Sequence, residues 1–127
     1  MNTWKIEATK QTPEMGYDVT SNVLSMKGEC YPENVEQVSK PLFVWLTDYL
    51  AQPHSDHLLT VNIELSYFNS SSSKMLLDLF DHLEEAAAQG TQIRVNWIYE
   101  ADNDSAEEVG EEFKEDLEVL SFNLVKK

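Results

Sequence analysis

From Leu59 to Tyr67 the chain alternates strictly: Leu59, Val61, Ile63, Leu65 and Tyr67 are apolar, and Thr60, Asn62, Glu64 and Ser66 lie between them. Successive side chains of a strand point to opposite faces, so this segment reads as a strand with one buried and one wet side. Ile93, Val95, Trp97 and Tyr99, separated by Arg94 and Asn96, repeat the pattern. Between the two, Leu76, Leu79, Phe80, Leu83 and Ala87 recur at helical spacing from about Ser72 to Gln89, and Gly90 stops the run. A strand–helix–strand unit of this kind predicts two parallel strands joined by a right-handed crossover. In a doubly wound sheet the central strands are apolar on both faces. The polar sides here predict instead a mixed sheet with helices packed mainly on one face and the other face open.

The remaining segments extend this α/β reading. Trp4, Ile6 and Ala8 alternate with Lys5, Glu7 and Thr9 as a first strand, which Thr12-Pro13-Glu14-Met15-Gly16 breaks. Val23 to Gly28 reads as a second, short strand. Tyr31-Pro32-Glu33-Asn34 forms a turn, with Asn34 placed to cap a helix carrying Val35, Val38, Leu42, Trp45, Leu46 and Tyr49. Pro41 inside that pattern predicts a kink or a late helix start. Pro53 to His57 is a loop. A third helix is expected from about Ser105, with Ala106, Val109, Phe113 and Leu117 inward, followed by a last strand around Phe122 and Leu124. The expected order is β-β-α-β-α-β-α-β. One domain over residues 1–127 is the natural expectation for this length.

Charge and composition exclude several function classes. Nine basic residues against 23 acidic ones give a net charge of −14. A polyanion such as DNA or RNA would be repelled, and so would an anionic membrane surface. No apolar run approaches the roughly 18 residues that cross a bilayer. The N-terminus lacks a basic region followed by an apolar one, so no secretory signal is expected and a cytoplasmic protein fits. Cys30 is the single cysteine, which leaves no internal disulfide and no multi-cysteine zinc site. Between Glu100 and Glu118 ten acids face Lys114 alone. A solvated helix face is the simpler reading of that run, and a docking surface for a basic partner the sharper one.

Candidate catalytic and metal chemistry is thin. His54 and His57 flank Asp56 in a polar loop without a third ligand nearby, which fits surface histidines better than a metal site. Asp102-Asn103-Asp104 hints at a calcium loop, but Ala106 and Glu107 stand where that loop needs an oxygen ligand and a glycine. His82 lies too far along the second helix to act as base for a serine near its start. Neither an enzyme nor a cofactor is expected.

The segment Tyr67-Phe68-Asn69-Ser70-Ser71-Ser72-Ser73-Lys74 stands out. Four serines in a row occupy the junction where the alternating strand stops and the second helix starts. A helix start exposes free backbone N–H groups and the positive end of the helix dipole. Serines there can cap the helix, and one of them can carry a phosphate that the helix end helps to hold. The residues alone leave a cap with polar filler and a phosphoacceptor evenly balanced.

Asn69 to Leu77, placed after a strand, resembles the phosphorylation loop of STAS-type anti-sigma-factor antagonists. Across nearly its whole length the chain is similar to the SiaC family of bacterial regulatory phosphoproteins. The matching pieces are Thr12-Pro13, Gly28-Glu29-Cys30-Tyr31-Pro32-Glu33-Asn34, Trp45-Leu46 with Tyr49, Tyr67 to Ser71, Val95-Asn96-Trp97 with Tyr99, and Glu111-Glu112-Phe113 with Glu115-Asp116. The resemblance implies a STAS-like fold and a non-enzymatic, partner-switching role. It implies phosphorylation of the hydroxyl residue directly after the loop asparagine, here Ser70, with Ser71 the alternate. It implies a serine/threonine kinase, an opposing phosphatase and an effector such as a diguanylate cyclase, bound and activated by the unphosphorylated form in biofilm signalling. The expected partner surface comprises Tyr31, Asn34, Tyr67, Phe68, Asn69, Ser71, Ser72 and Lys74. The alternatives are an anti-sigma-factor antagonist and a small-ligand sensor that uses Asn62, Glu64 and Asn96 on the open sheet face.

Overall fold

The structure, a computed structural model, describes residues 2–52 and 57–127. Along the chain run β1 (Trp4–Ile6), β2 (Glu14–Asp18), β3 (Val23–Cys30), α1 (Val35–Leu50), β4 (Leu59–Phe68), α2 (Ser70–Ala88), β5 (Ile93–Tyr99), α3 (Asp104–Glu115) and β6 (Ser121–Lys126). The strands lie side by side in chain order. β1, β2 and β3 pair antiparallel, and β3, β4, β5 and β6 pair parallel. The sheet is therefore mixed, as expected, and β4 and β5 run parallel, as the strand–helix–strand pattern predicted. One helix follows each of β3, β4 and β5, so all three helices start at the same end of the sheet.

The alternation decides which face the helices cover. Met15, Tyr17, Leu24, Met26, Val61, Ile63, Val95, Trp97 and Phe122 point to one side and join the inward residues of all three helices in a single hydrophobic core. On the other side the polar residues of the parallel strands satisfy one another. Asn96 donates to Asn62 at 2.9 Å, Asn123 to Asn96 at 3.4 Å, and Arg94 to Thr60 at 3.4 Å. Lys127 closes the end of this face on Glu64 at 2.6 Å.

Three expectations are corrected. The segment around Gly16, read as a break, is strand β2. Met15 and Tyr17 point inward from it at 2% and 4% exposure, while Gly16 faces out. A Cβ on Gly16 would stand 2.9 Å from the carbonyl oxygen of Trp4, so glycine lets β1 and β2 approach. Pro41 does not delay or divide α1, which runs unbroken from Val35 to Leu50. The proline sits on the exposed side, where water can satisfy the Gln37 carbonyl left without its helical donor. α2 starts at Ser70 rather than near Ser72. The expected loop at Pro53 to Asp56 lies outside the described residues, whereas His57 is described and exposed.

Two contacts fix the helices on the sheet. Gly110 brings α3 against β5 and β6: a Cβ there would fall 2.5 Å from Trp97 Cδ1 and 2.6 Å from Leu124 Cδ2. The gap lets Trp97 Nε1 donate to the Ala106 carbonyl at 2.9 Å. On α2, the Glu84 carboxylate accepts the consecutive backbone N–H groups of Glu118, Val119 and Leu120 at 2.6, 2.9 and 2.7 Å. Three aligned donors form a cradle for an anion. The N–H groups of Glu118 and Leu120 hold the Glu84 carboxyl below the usual carboxylate range, Val119 adds to this, and desolvation opposes it.

Both contacts are testable. Gly110→Ala forces a methyl into the Trp97 ring and should destabilise by about 1–3 kcal/mol in urea unfolding. A change within error would show that the indole yields freely. The Glu84 carboxyl has its lower pKa in the folded state, so its stabilisation is complete at neutral pH and is lost as pH falls through that pKa. The stability gap between wild type and Glu84→Gln should therefore narrow through the acid range. A gap that stays constant with pH would rule out this ionic cradle.

Candidate functional site

The site is the turn from β4 into α2. Asn69 leaves the strand with φ −90° and ψ −179°, and its Oδ1 accepts the Ser72 N–H at 2.9 Å. Its backbone carbonyl accepts the Ser73 N–H at 2.9 Å, and its own N–H donates to the Cys30 carbonyl at 3.2 Å. The cap is thus the asparagine, and the four serines form the first turn of the helix instead of capping it. An asparagine caps well because its short amide reaches the third residue of the helix while its backbone stays extended.

With the cap in place the serines are unequal. Ser70 and Ser71 are exposed, Ser73 is half-buried, and Ser72 is fully buried. The capping bonds consume the N–H groups of Ser72 and Ser73, which leaves those of Ser70 and Ser71 facing solvent. The first turn of α2 carries no acidic residue, whereas α1 has Glu36 there and α3 has Asp104 and Glu107. In a chain of net charge −14 this helix start keeps its positive end unneutralised.

The expected partner residues are placed as follows. Tyr67 is 53% exposed and meets the half-buried Tyr31 edge-on, with ring centres 5.6 Å apart. Asn34 is exposed and caps α1 by accepting the Gln37 N–H at 3.1 Å. Phe68 turns into the core and meets Trp97 edge-on at 5.8 Å, so it anchors the turn more than it offers surface. Lys74 is exposed, four residues and about one helical turn after Ser70. Ser71 and Lys74 also line an open groove of about 490 Å³ between α1 and α2. Across that groove stands Lys40 of α1, a residue the sequence reading did not single out. Only the packing of two distant segments brings it there.

Ser72 is a correction. It cannot touch a partner, because its side chain is fully buried. Its Oγ finds no hydrogen bond of ordinary geometry. It lies close enough to the Cys30 thiol to temper, weakly, the upward push that burial gives that group.

Among the described residues no cluster of His, Cys, Asp or Glu is arranged to hold a metal ion. His82 engages the Asp78 carbonyl of its own helix at 2.7 Å and meets the Phe43 ring at a tilt, with centres 5.7 Å apart. No described helix is long and apolar enough to cross a membrane. The turn therefore offers an exposed hydroxyl, free backbone donors and an aromatic pair, which suit a modifiable recognition surface.

A model of the SiaC family regulatory phosphoproteins matches residues 6–127. The chain belongs to the SiaC family. It is 34% identical over 116 residues to an uncharacterised protein of Pseudomonas aeruginosa strain UCBPP-PA14, a match spanning 91% of this chain and 90% of that protein. Its fold superposes on apo-SiaC from Pseudomonas aeruginosa with a TM-score of 0.83 at 31% identity, covering 100% of this chain and 99% of the other. It also matches a chain in the crystal structure of the diguanylate cyclase SiaD in complex with its activator SiaC, from the same organism. There the TM-score is 0.90 at 32% identity, covering 98% of this chain and 99% of the other. The chain is a SiaC-family regulatory phosphoprotein.

The geometry of the turn predicts unequal responses to alanine. Asn69→Ala should destabilise by about 1 kcal/mol, the worth of a helix cap. Ser72→Ala should be neutral or stabilising, because it removes a buried hydroxyl without a proper partner. Urea midpoints of the two variants check both, and a large loss at Ser72 would show that its hydroxyl is well bonded.

Proposed function

We propose that this SiaC-family chain is a non-enzymatic cytoplasmic adaptor, acting as one domain over residues 1–127, whose partner choice is set by phosphate on Ser70. A serine/threonine kinase adds the phosphate and an opposing phosphatase removes it. The unphosphorylated form binds and activates an effector, and the match to SiaC solved with the cyclase SiaD supports a diguanylate cyclase in that role. The observation that carries the reading is the exposed Ser70 hydroxyl at the unneutralised start of α2, beside the Tyr31–Tyr67 pair.

The switch follows from electrostatics. A phosphate on Ser70 adds a charge of about −1.5 to −2 at a helix start that holds it with free N–H groups and Lys74. A partner surface that packs on Tyr31, Asn34, Tyr67, Ser71 and Lys74 must then desolvate that charge. A difference of roughly 3 kcal/mol shifts a binding equilibrium by about two decades, enough to exchange partners. Phe68 and Asn69 support this surface from behind, by core packing and by capping. The ligand-sensing alternative on Asn62, Glu64 and Asn96 has less in its favour, since the two asparagines bond each other and Glu64 is held by Lys127.

A titration tests the proposal. Wild type, Ser70→Ala and Ser70→Asp are compared for binding to the diguanylate cyclase that the unphosphorylated chain retains in a pull-down. Ser70→Ala should bind like wild type, and Ser70→Asp about a hundredfold more weakly. Equal binding by all three would contradict the switch.

A further inference from the structure

The sheet has two edges, and they differ in what they expose. β1 is three residues long, whereas β6 runs for six, pairs with β5 without a bulge, and contains no proline and no charge before Lys126. The Lys127 N–H donates to the Tyr99 carbonyl at 2.9 Å, which fixes the parity of the strand. Backbone groups alternate in direction along a parallel strand. Ser121, Asn123 and Val125 therefore turn theirs toward β5, and Phe122, Leu124 and Lys126 turn theirs outward. Among the described residues no hydrogen bond engages those outward groups. A strand edge of this length and regularity is a template for another strand.

The two sides of that edge have different chemistry. On the helix-bearing side Glu108, Glu111, Glu112 and Glu115 of α3, with Lys114 among them, border a groove of about 590 Å³ that Leu124 of β6 closes. On the open side Val125 is 38% exposed beside Ile98 of β5, with Asn123 before it on that face and Lys127, held on Glu64, after it.

We propose that the outer edge of β6 docks an extended basic segment of a partner protein, which adds a strand to the sheet. Side chains of an added strand alternate between the two faces. Those on the helix side meet the glutamate row and are Lys or Arg at every second position. Those on the open side lie beside Val125 and are apolar. Charge selects this occupant over a second copy of the chain. Pairing β6 with β6 would set two glutamate rows side by side on molecules of net charge −14 each. The same negative field speeds the encounter with a basic partner. The surface is separate from the Ser70 turn and does not depend on phosphorylation.

The test uses the full chain and two end-blocked peptides of one composition, Lys-Val-Lys-Val-Lys-Val-Lys and Val-Val-Val-Lys-Lys-Lys-Lys. The alternating peptide should bind at least about tenfold more tightly than the block isomer. It should slow hydrogen exchange at the amides of Phe122, Leu124 and Lys126. N-methylation of its backbone at alternate residues should abolish the preference. The double variant Glu111→Gln, Glu112→Gln, altered only at exposed positions, should weaken binding about tenfold and flatten its salt dependence. Equal binding of the two peptides would reduce the surface to unspecific charge attraction and overturn the proposal. So would unchanged exchange at the three amides, or self-association through β6 in place of peptide binding.

Discussion

The hydrogen bond from the Ser72 N–H to Asn69 Oδ1 organises the end of this molecule that carries the candidate site. It ends β4, starts α2 one residue later, and decides which of four chemically identical side chains face solvent. With the asparagine as cap, Ser70 and Ser71 stand outside and Ser72 goes into the core against Cys30. The same asparagine ties the turn to β3 through its N–H to the Cys30 carbonyl. The exposed Ser70 hydroxyl thus rests on a scaffold held from two strands. Asn34 and Asn103 play the same capping part for α1 and α3. Parallel crossovers bring all three caps to one end of the sheet, yet only the α2 start lacks an acidic residue in its first turn.

Charge is distributed with that difference in view. Acidic residues crowd α3, where they border the β6 edge, and are missing from the first turn of α2. A helix start of fixed positive potential in a strongly negative protein is a place where one phosphate changes the local field most. The membership of the chain in a family of regulatory phosphoproteins agrees with this arrangement.

Much of this was legible before any coordinate. The alternation at 59–65 and 93–97 announced two half-buried parallel strands and a one-sided helix layer, because a period of two residues leaves little choice of register. Tyr67, read as inward, is instead 53% exposed, because the pairing of β3 and β4 shifts register beside Ser66 and Phe68 takes the inward place. Asn34 was legible as a cap, since turn residues precede a helical pattern there. β2 was not, because a lone glycine after a proline reads as a break. Its role, a close approach to the Trp4 carbonyl, exists only once β1 is alongside. The serine run hid its true cap, since any of five adjacent residues could fill that position, and the bond that ties the Asn69 N–H to the Cys30 carbonyl of β3 is not visible in the local pattern. The Glu84 cradle and the Lys40 groove join residues more than thirty positions apart, and no local pattern carries them.

Location of the phosphate tests the central claim most directly. The full chain is incubated with its cognate serine/threonine kinase and the modified residue is assigned by fragmentation mass spectrometry. A single phosphate on Ser70, removed by the opposing phosphatase, is the predicted result. Phosphate on Ser72, or anywhere outside the first turn of α2, would contradict it.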